Sequence, residues 1–109
     1  MIEAIKNDQI LKEIVQRLAD AFEPELIYLF GSRARGDDGL DADYDIMVVV
    51  PDDAPSDKKS SRLAYRVLRG TGTAVDVLVW TRSAFERKLH LRSSLPSTIQ
   101  REGIVLHAA

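Results

Sequence analysis

The segment that most constrains this chain is LFGSRARGDDGLDADYDIMVVV, residues 29–50, in which two apolar runs flank a polar stretch. The first run stops at Gly31-Ser32, and the second carries Asp43 and Asp45 where it begins and ends before Pro51. Short apolar runs rich in β-branched residues and bounded by Gly or Pro predict buried strands. The pattern therefore predicts two core strands, Leu26–Phe30 and Tyr44–Val50, joined by a polar connection, with a carboxylate pair at the start of the second.

The remaining periodicities predict one more strand and several helices. The run from Ala74 to Trp80 predicts the third strand. Apolar residues at helical spacing predict a first helix that starts at Asn7 or Asp8 and is closed by Pro24. Further helices are predicted over residues 58–69, over residues 82–91 behind Thr81, and over residues 96–103. This pattern predicts an α+β (or α/β) fold: a small mixed sheet of about three strands flanked by helices.

Length and charge limit the function classes that remain. A chain of 109 residues and 12.2 kDa has room for one core, so residues 1–109 are expected to form a single domain. The balance of 15 basic and 17 acidic residues argues against generic nucleic-acid binding. The absence of cysteine excludes disulfides and thiolate metal sites, and no run is long and apolar enough for export or membrane insertion. A cytoplasmic location is the corresponding expectation.

The carboxylate pair predicts a metal site. Because strand side chains alternate, Asp43 and Asp45 project to one face while Tyr44 and Ile46 project to the other. Two carboxylates about 4 Å apart repel by roughly 1 kcal/mol in water and about 4 kcal/mol at an effective dielectric near 20. A divalent cation resolves this repulsion, and oxygen ligands alone favour Mg²⁺ or Mn²⁺. Asp76, the only charged residue of the third strand, joins the pair if that strand lies beside the second.

The other half of the segment predicts a phosphate site. A strand that ends in Gly31-Ser32 before a turn or short helix offers backbone N–H groups, a hydroxyl and little steric bulk. Arg33 and Arg35 can add positive charge there, or can remain solvated turn residues. A phosphate site beside three carboxylates predicts phosphoryl or nucleotidyl transfer with two ions about 3.5 to 4 Å apart. In that chemistry Asp76 would orient or deprotonate the acceptor hydroxyl.

Gly31-Ser32 followed ten residues later by Asp43-Tyr44-Asp45 resembles the signature of the polymerase beta superfamily of nucleotidyltransferases. The fuller GSRARG and DYDIMVVV resemble its minimal, single-domain branch, and the likeness extends from the first helix to the closing IQREGIVLH. The sequence departs from that pattern at Ala42, where serine is frequent, and at His107, where an aromatic residue is frequent. Neither departure removes a carboxylate.

The resemblance implies a role for each matching residue. Gly31 and Ser32 would lie at the nucleotide phosphates, Asp43 and Asp45 on both metal ions, and Asp76 on the catalytic ion. It also implies ATP as the substrate. Minimal nucleotidyltransferases resemble antitoxins encoded with helical HEPN-domain toxins, some of which are silenced by nucleotide transfer to a tyrosine. The expected assembly is therefore a hetero-oligomer with a HEPN-type protein.

Three function hypotheses stay open at this point. The first is transfer of AMP, or another nucleoside monophosphate, to a protein hydroxyl. The second is a non-catalytic antitoxin that occludes its partner, and the third is a nucleotidyltransferase acting on RNA or a small molecule. Size argues against the third, because so small a domain has little surface with which to hold an independent acceptor. Three converging carboxylates favour the enzyme over a pure binder.

Other polar and aromatic residues receive plainer interpretations. Asp41 is expected to be a turn residue, and no role is assigned to His90 or His107. Trp80 and Phe85 are expected in the core rather than in a base-stacking platform. A basic stripe on the helix predicted over residues 58–69 is expected to be a solvated face, and consists of Lys58, Arg62, Arg66 and Arg69.

Overall fold

A computed structural model describes residue 5 and residues 7–36 and 43–109 of the chain. Asp41 and Ala42 lie outside the described residues. The elements are α1 (Gln9–Phe22), β1 (Leu26–Phe30), α2 (Gly31–Arg35), β2 (Tyr44–Val50), α3 (Ser61–Val67), β3 (Val75–Thr81), α4 (Arg82–Arg87), α5 (Leu95–Glu102) and β4 (Ile104–Ala108). A 3-10 turn at Ser56–Lys59 precedes α3.

The described strands form one mixed sheet in the order β3-β2-β1-β4. β1 is antiparallel to both β2 and β4, whereas β2 and β3 are parallel. The α+β prediction and the three predicted strands are confirmed. The fourth strand was not predicted: β4 is a short edge strand whose Val105 is half exposed, and its apolar run stops after three residues at His107, which is shorter than the run that marks a buried strand.

Each face of the sheet is covered by helices. One cluster buries Ile46, Val48 and Val50 against α1 and α3, and a second cluster buries Met47 and Val49 on the other face against α4 and α5. Since β2 is central and its alternate residues enter different clusters, its run is apolar almost throughout. The side chains of Tyr44 and Asp45 therefore project to opposite faces of the sheet, as the alternation in the sequence predicts.

Two of the predicted helices need correction. The helix predicted over residues 58–69 is interrupted, because the Ser60 hydroxyl accepts the N–H of Arg62 and caps α3, which leaves Lys58 in the preceding 3-10 turn. The helix predicted over residues 82–91 ends at Arg87 and continues as turns. The first and last predicted helices are correct to about one residue, with Asp8 and Ser94 as their N-caps.

Among the described residues, no helix is long and apolar enough to cross a membrane.

Candidate functional site

Three strand ends meet at one end of the sheet. β1 finishes at Phe30, which is paired with Asp45 near the start of β2. Asp45 is in turn the register partner of Asp76 near the start of β3. Asp43 immediately precedes β2 and is exposed, as is Asp76, while Asp45 is half-buried. The topology therefore brings the three sequence-predicted carboxylates to the same end of the sheet.

Gly31 begins α2 in direct contact with one of these carboxylates. Its φ is +75°, a left-handed conformation that favours glycine. A Cβ at this position would lie 2.2 Å from Oδ2 of Asp45 and 3.1 Å from its Cγ. The absence of a side chain thus allows the backbone that starts α2 and the Asp45 carboxylate to share one small space.

The environment of Asp45 disfavours the ionised form of its carboxyl group. Burial raises the pKa of the Asp45 carboxyl, and the nearby carboxylates of Asp76 and Asp43 raise it further. Arg35 opposes these effects and lowers that pKa. The net pKa lies above the ordinary range, so the site favours any cation that neutralises the group.

The two predicted phosphate-binding arginines separate. Arg35 lies within electrostatic reach of Asp45. The guanidinium of Arg33 instead lies 4.0 Å from the centroid of the Tyr44 ring, and Tyr44 packs into the cluster on the face opposite Asp45. Ser32 is half-buried in the first turn of α2, beside Gly31. Gly31 and Arg35 therefore lie near the Asp45 carboxylate, whereas Arg33 contacts the Tyr44 ring.

Sequence reasoning missed a contact between two residues that ties the start of β2 to the start of α1. Tyr44 is 4% exposed, and its hydroxyl donates a hydrogen bond of 2.5 Å to Oδ2 of Asp8. Asp8 was interpreted only as a possible helix start. A tyrosine at the start of a strand does signal a polar group that needs a buried partner, but nothing in the sequence connects it to a residue 36 positions earlier.

The residues present suit a hard divalent cation. Asp43, Asp45 and Asp76 offer oxygen donors alone, which Mg²⁺ and Mn²⁺ prefer, and the absence of a Cβ at Gly31 lets the backbone at the start of α2 approach the Asp45 carboxylate closely. Within the described ranges, no group of three or more acidic, His or Cys side chains is already gathered at metal-ligating positions. The ligand set accordingly remains a prediction.

One groove of the described surface lies away from these carboxylates. It has a volume of about 910 Å³ and surrounds the end of β3 and the turns after α4. Its lining includes Trp80, Arg87, His90 and Leu91. Asp76 stands at the other end of β3, so this groove does not belong to the carboxylate site. Phe85 is buried as expected, and stacks on Tyr28 with ring centroids 5.7 Å apart.

A mixed sheet with three carboxylates beside a Gly-Ser helix start defines a nucleotidyl-transferring class of site. The chain belongs to the nucleotidyltransferase domain family, whose model matches residues 10–106. The resemblance, the fold and the assignment as a nucleotidyltransferase are thereby confirmed. No curated protein matches the chain significantly.

The fold of the chain is also similar to the folds of several solved structures. A candidate nucleotidyltransferase from Sulfolobus solfataricus is 26% identical with a TM-score of 0.62, and the match covers 92% of this chain and 78% of that one. A toxin-antitoxin complex with AMP-PNP is 25% identical with a TM-score of 0.62, covering 90% and 73%. A mutant of the toxin-antitoxin MntA-HpeT is 25% identical with a TM-score of 0.60, covering 90% and 72%.

Proposed function

We propose that this nucleotidyltransferase moves AMP from ATP to a hydroxyl group of a partner protein, and that it acts as an antitoxin by doing so. The acceptor proposed is a tyrosine of a HEPN-type toxin. The observation that carries the proposal is the pairing of Asp45 with Asp76 in adjacent parallel strands, directly beside the Gly31 cradle. A domain that only occluded its partner would have no use for carboxylates gathered against the backbone that starts α2.

The chemistry follows from the positions of the side chains. The backbone of Gly31 and Ser32 and the charge of Arg35 would hold the triphosphate. Asp43, Asp45 and Asp76 would hold Mg²⁺ or Mn²⁺, which when bound neutralises the charge that develops on the phosphates. Asp76 is exposed, so its carboxylate can meet an acceptor that arrives from solvent.

The proposed transfer is a single displacement. The acceptor hydroxyl gives its proton to the Asp76 carboxylate while its oxygen forms a bond to the α-phosphorus. The bond from the α-phosphorus to the bridging oxygen breaks, and pyrophosphate leaves with the bonding electrons. A positioned base of this kind contributes about 10² to 10⁴ in rate.

Similar toxin-antitoxin structures support the partner and the nucleotide. One of them contains AMP-PNP, an adenine nucleotide, and others contain the pair MntA-HpeT. The present chain covers nearly three quarters of those chains and shares their fold. A protein partner would also compensate for the small surface of this domain, because the partner itself would present the acceptor hydroxyl.

The test uses ATP labelled at the α-phosphate, the protein, and a HEPN-type candidate partner, taken from the adjacent gene if that gene encodes a small helical protein. We expect label on a tyrosine of the partner with wild type and at least about a hundredfold slower transfer with Asp76→Asn. Nucleotide binding should be largely retained by Asp76→Asn. The matched control is Asp57→Asn, which removes the same charge from an exposed position in the 3-10 turn.

Each alternative outcome has a clear meaning. Label transferred only from the γ-phosphate would make the protein a kinase-like transferase. Neutralisation of the partner without any label would establish the non-catalytic antitoxin. Label on added RNA or on a small hydroxyl compound, but not on the partner, would favour the third hypothesis.

A further inference from the structure

Tyr44 lies between the two carboxylates that begin β2, but its side chain lies on the other face of the sheet. It is almost fully buried in the cluster that packs against α1 and α3. Asp43 and Asp45 are its direct neighbours in the chain. Any shift or rotation of the Tyr44 backbone therefore moves both carboxylates.

Within the described part of the chain, contacts from three different segments hold Tyr44 in place. Its hydroxyl donates to Oδ2 of Asp8 at 2.5 Å, and Asp8 caps α1. The Arg33 guanidinium of α2 covers its ring at 4.0 Å. Its backbone N–H donates to the carbonyl of Ala74, just before β3, at 3.1 Å. The residue between the paired carboxylates is thus tied to α1, α2 and the start of β3.

Asp8 uses both carboxylate oxygens for this arrangement. Oδ1 accepts the backbone N–H of Leu11 at 3.0 Å, which caps the first turn of α1, and Oδ2 accepts the Tyr44 hydroxyl. A hydrogen bond to a charged acceptor is shorter and stronger than one between neutral groups. The well-packed helix α1 thereby becomes a fixed support for the start of β2.

We infer that Tyr44 is a positioning residue that sets the placement of the Asp43 and Asp45 carboxylates, with Asp8 and Arg33 acting through it. The inference rests on the proposed function, in which both carboxylates hold a metal-bound nucleoside triphosphate. Such sites require their ligands within about 0.5 Å of the productive geometry. Loss of a group that orients a ligand typically lowers metal affinity or activity 10- to 100-fold.

The role of Arg33 changes accordingly. The sequence predicts a phosphate contact, but its guanidinium lies on the ring of a residue whose side chain packs away from Asp45. A cation over an aromatic face is attracted to it and also shields it from water. Arg33 therefore stabilises the orientation of Tyr44, and Arg35 remains the arginine on the carboxylate side.

The test measures Mn²⁺ affinity in the presence of ATP by electron paramagnetic resonance, together with transfer from α-labelled ATP. Tyr44→Phe removes only the hydroxyl, and Asp8→Ser keeps a good N-cap while its shorter side chain no longer reaches Tyr44. We expect each to weaken Mn²⁺ binding about tenfold with the fold retained by circular dichroism. The control Tyr28→Phe removes a hydroxyl from another buried tyrosine, on the opposite face, and should change neither value.

A double-mutant cycle separates the two roles of Arg33. Arg33→Gln should weaken Mn²⁺ binding in the wild-type background and add little once Tyr44→Leu has removed the ring. An equal loss in both backgrounds would show that Arg33 acts on the nucleotide directly and would overturn its assignment here.

The remaining outcomes distinguish the inference from the function on which it depends. Wild-type Mn²⁺ affinity in Tyr44→Phe and Asp8→Ser, with wild-type transfer, would overturn the positioning role and leave the proposed function standing. Absence of both Mn²⁺–ATP binding and transfer in the wild-type protein would overturn both.

Discussion

At the scale of single residues, Gly31 has a double role that a matched glycine can separate. Gly70 has φ +85° but open space where a Cβ would lie, whereas a Cβ on Gly31 would collide with the Asp45 carboxylate. Because a left-handed conformation costs an alanine about 1–2 kcal/mol, both Gly31→Ala and Gly70→Ala should lower the free energy of unfolding by about that amount. Only Gly31→Ala should also abolish stabilisation by Mg²⁺ and ATP, since Asp45 must rotate away.

Urea denaturation with and without ligand measures both quantities. Retained ligand stabilisation in Gly31→Ala would mean that the contact with Asp45 is not part of the site.

The charge of Asp45 gives a second prediction at this scale, on stability without ligand. The folded-state pKa of Asp45 is raised by burial and by its carboxylate neighbours. Protonation of Asp45 is therefore easier in the folded protein than in the unfolded chain. The stabilisation linked to that proton is fully present below the unfolded-state pKa of about 3.9 and is lost as pH rises through the folded-state pKa. Asp45→Asn should therefore be more stable than wild type at neutral pH, by up to about 1 kcal/mol.

Denaturation at a series of pH values checks the sign. The advantage of Asp45→Asn should shrink as pH falls through the acid range, because the wild-type carboxyl then becomes protonated. A variant that is less stable at neutral pH would identify the ionised carboxylate as a structural group.

At the scale of elements, one arginine joins two helices that pack on the same face of the sheet. Arg17 of α1 donates from Nη1 to the carbonyls of Val67 and Arg69 at 3.1 and 2.7 Å. Carbonyls at a helix end have no partner within the helix, so Arg17 supplies what α3 lacks. Arg17→Leu keeps much of the apolar stem and should lower the free energy of unfolding by about 1–2 kcal/mol.

Arg66→Leu is the matched control, because Arg66 is an exposed arginine of α3 that makes no hydrogen bond or ion pair with the described residues. Its effect should stay within about 0.5 kcal/mol. Chemical denaturation compares the two variants, and equal losses would contradict the capping role of Arg17.

The sequence predicted the elements that have strong local signals. β1 and β2 have the predicted bounds, since each is an apolar run stopped by glycine or proline. The start of the helix predicted over residues 58–69 was wrong. Ser60 caps α3, so the helix begins after it even though the apolar spacing is compatible with an earlier start. β4 was missed because an edge strand needs only one well-buried face, and its pairing with β1 is a long-range contact.

In the site, too, the features with a local sequence signal were predicted and those set by long-range packing were not. Asp43, Asp45 and Asp76 were predicted from spacing, and their common position at one sheet edge follows from the parallel pairing of β2 and β3. The contact of Arg33 with the Tyr44 ring could not be predicted, because it depends on how α2 is set against β2. Likewise, the bond between Tyr44 and Asp8 depends on the packing of α1 across the sheet.

At the scale of the whole molecule, the core supports a site that opposes folding locally. Two buried clusters, one on each face of the sheet, supply the favourable free energy of burial. The carboxylates at this end of the sheet repel one another, and burial together with this repulsion raises the pKa of Asp45. A cation that binds only the folded protein relieves the repulsion, so ligand binding and folding stability should be linked.

That linkage gives the last prediction. Mg²⁺ with ATP, at a hundredfold excess over the dissociation constant, should raise the free energy of unfolding by about 2.7 kcal/mol, and a chelator should remove the effect. Asp43→Asn should abolish it, whereas Asp57→Asn, which removes an equal charge from an exposed turn, should retain it. Thermal melts with and without chelator provide the measurement. Equal stabilisation of Asp43→Asn and wild type would remove Asp43 from the metal site, and stabilisation by ATP that persists in the chelator would show that the nucleotide binds without a cation.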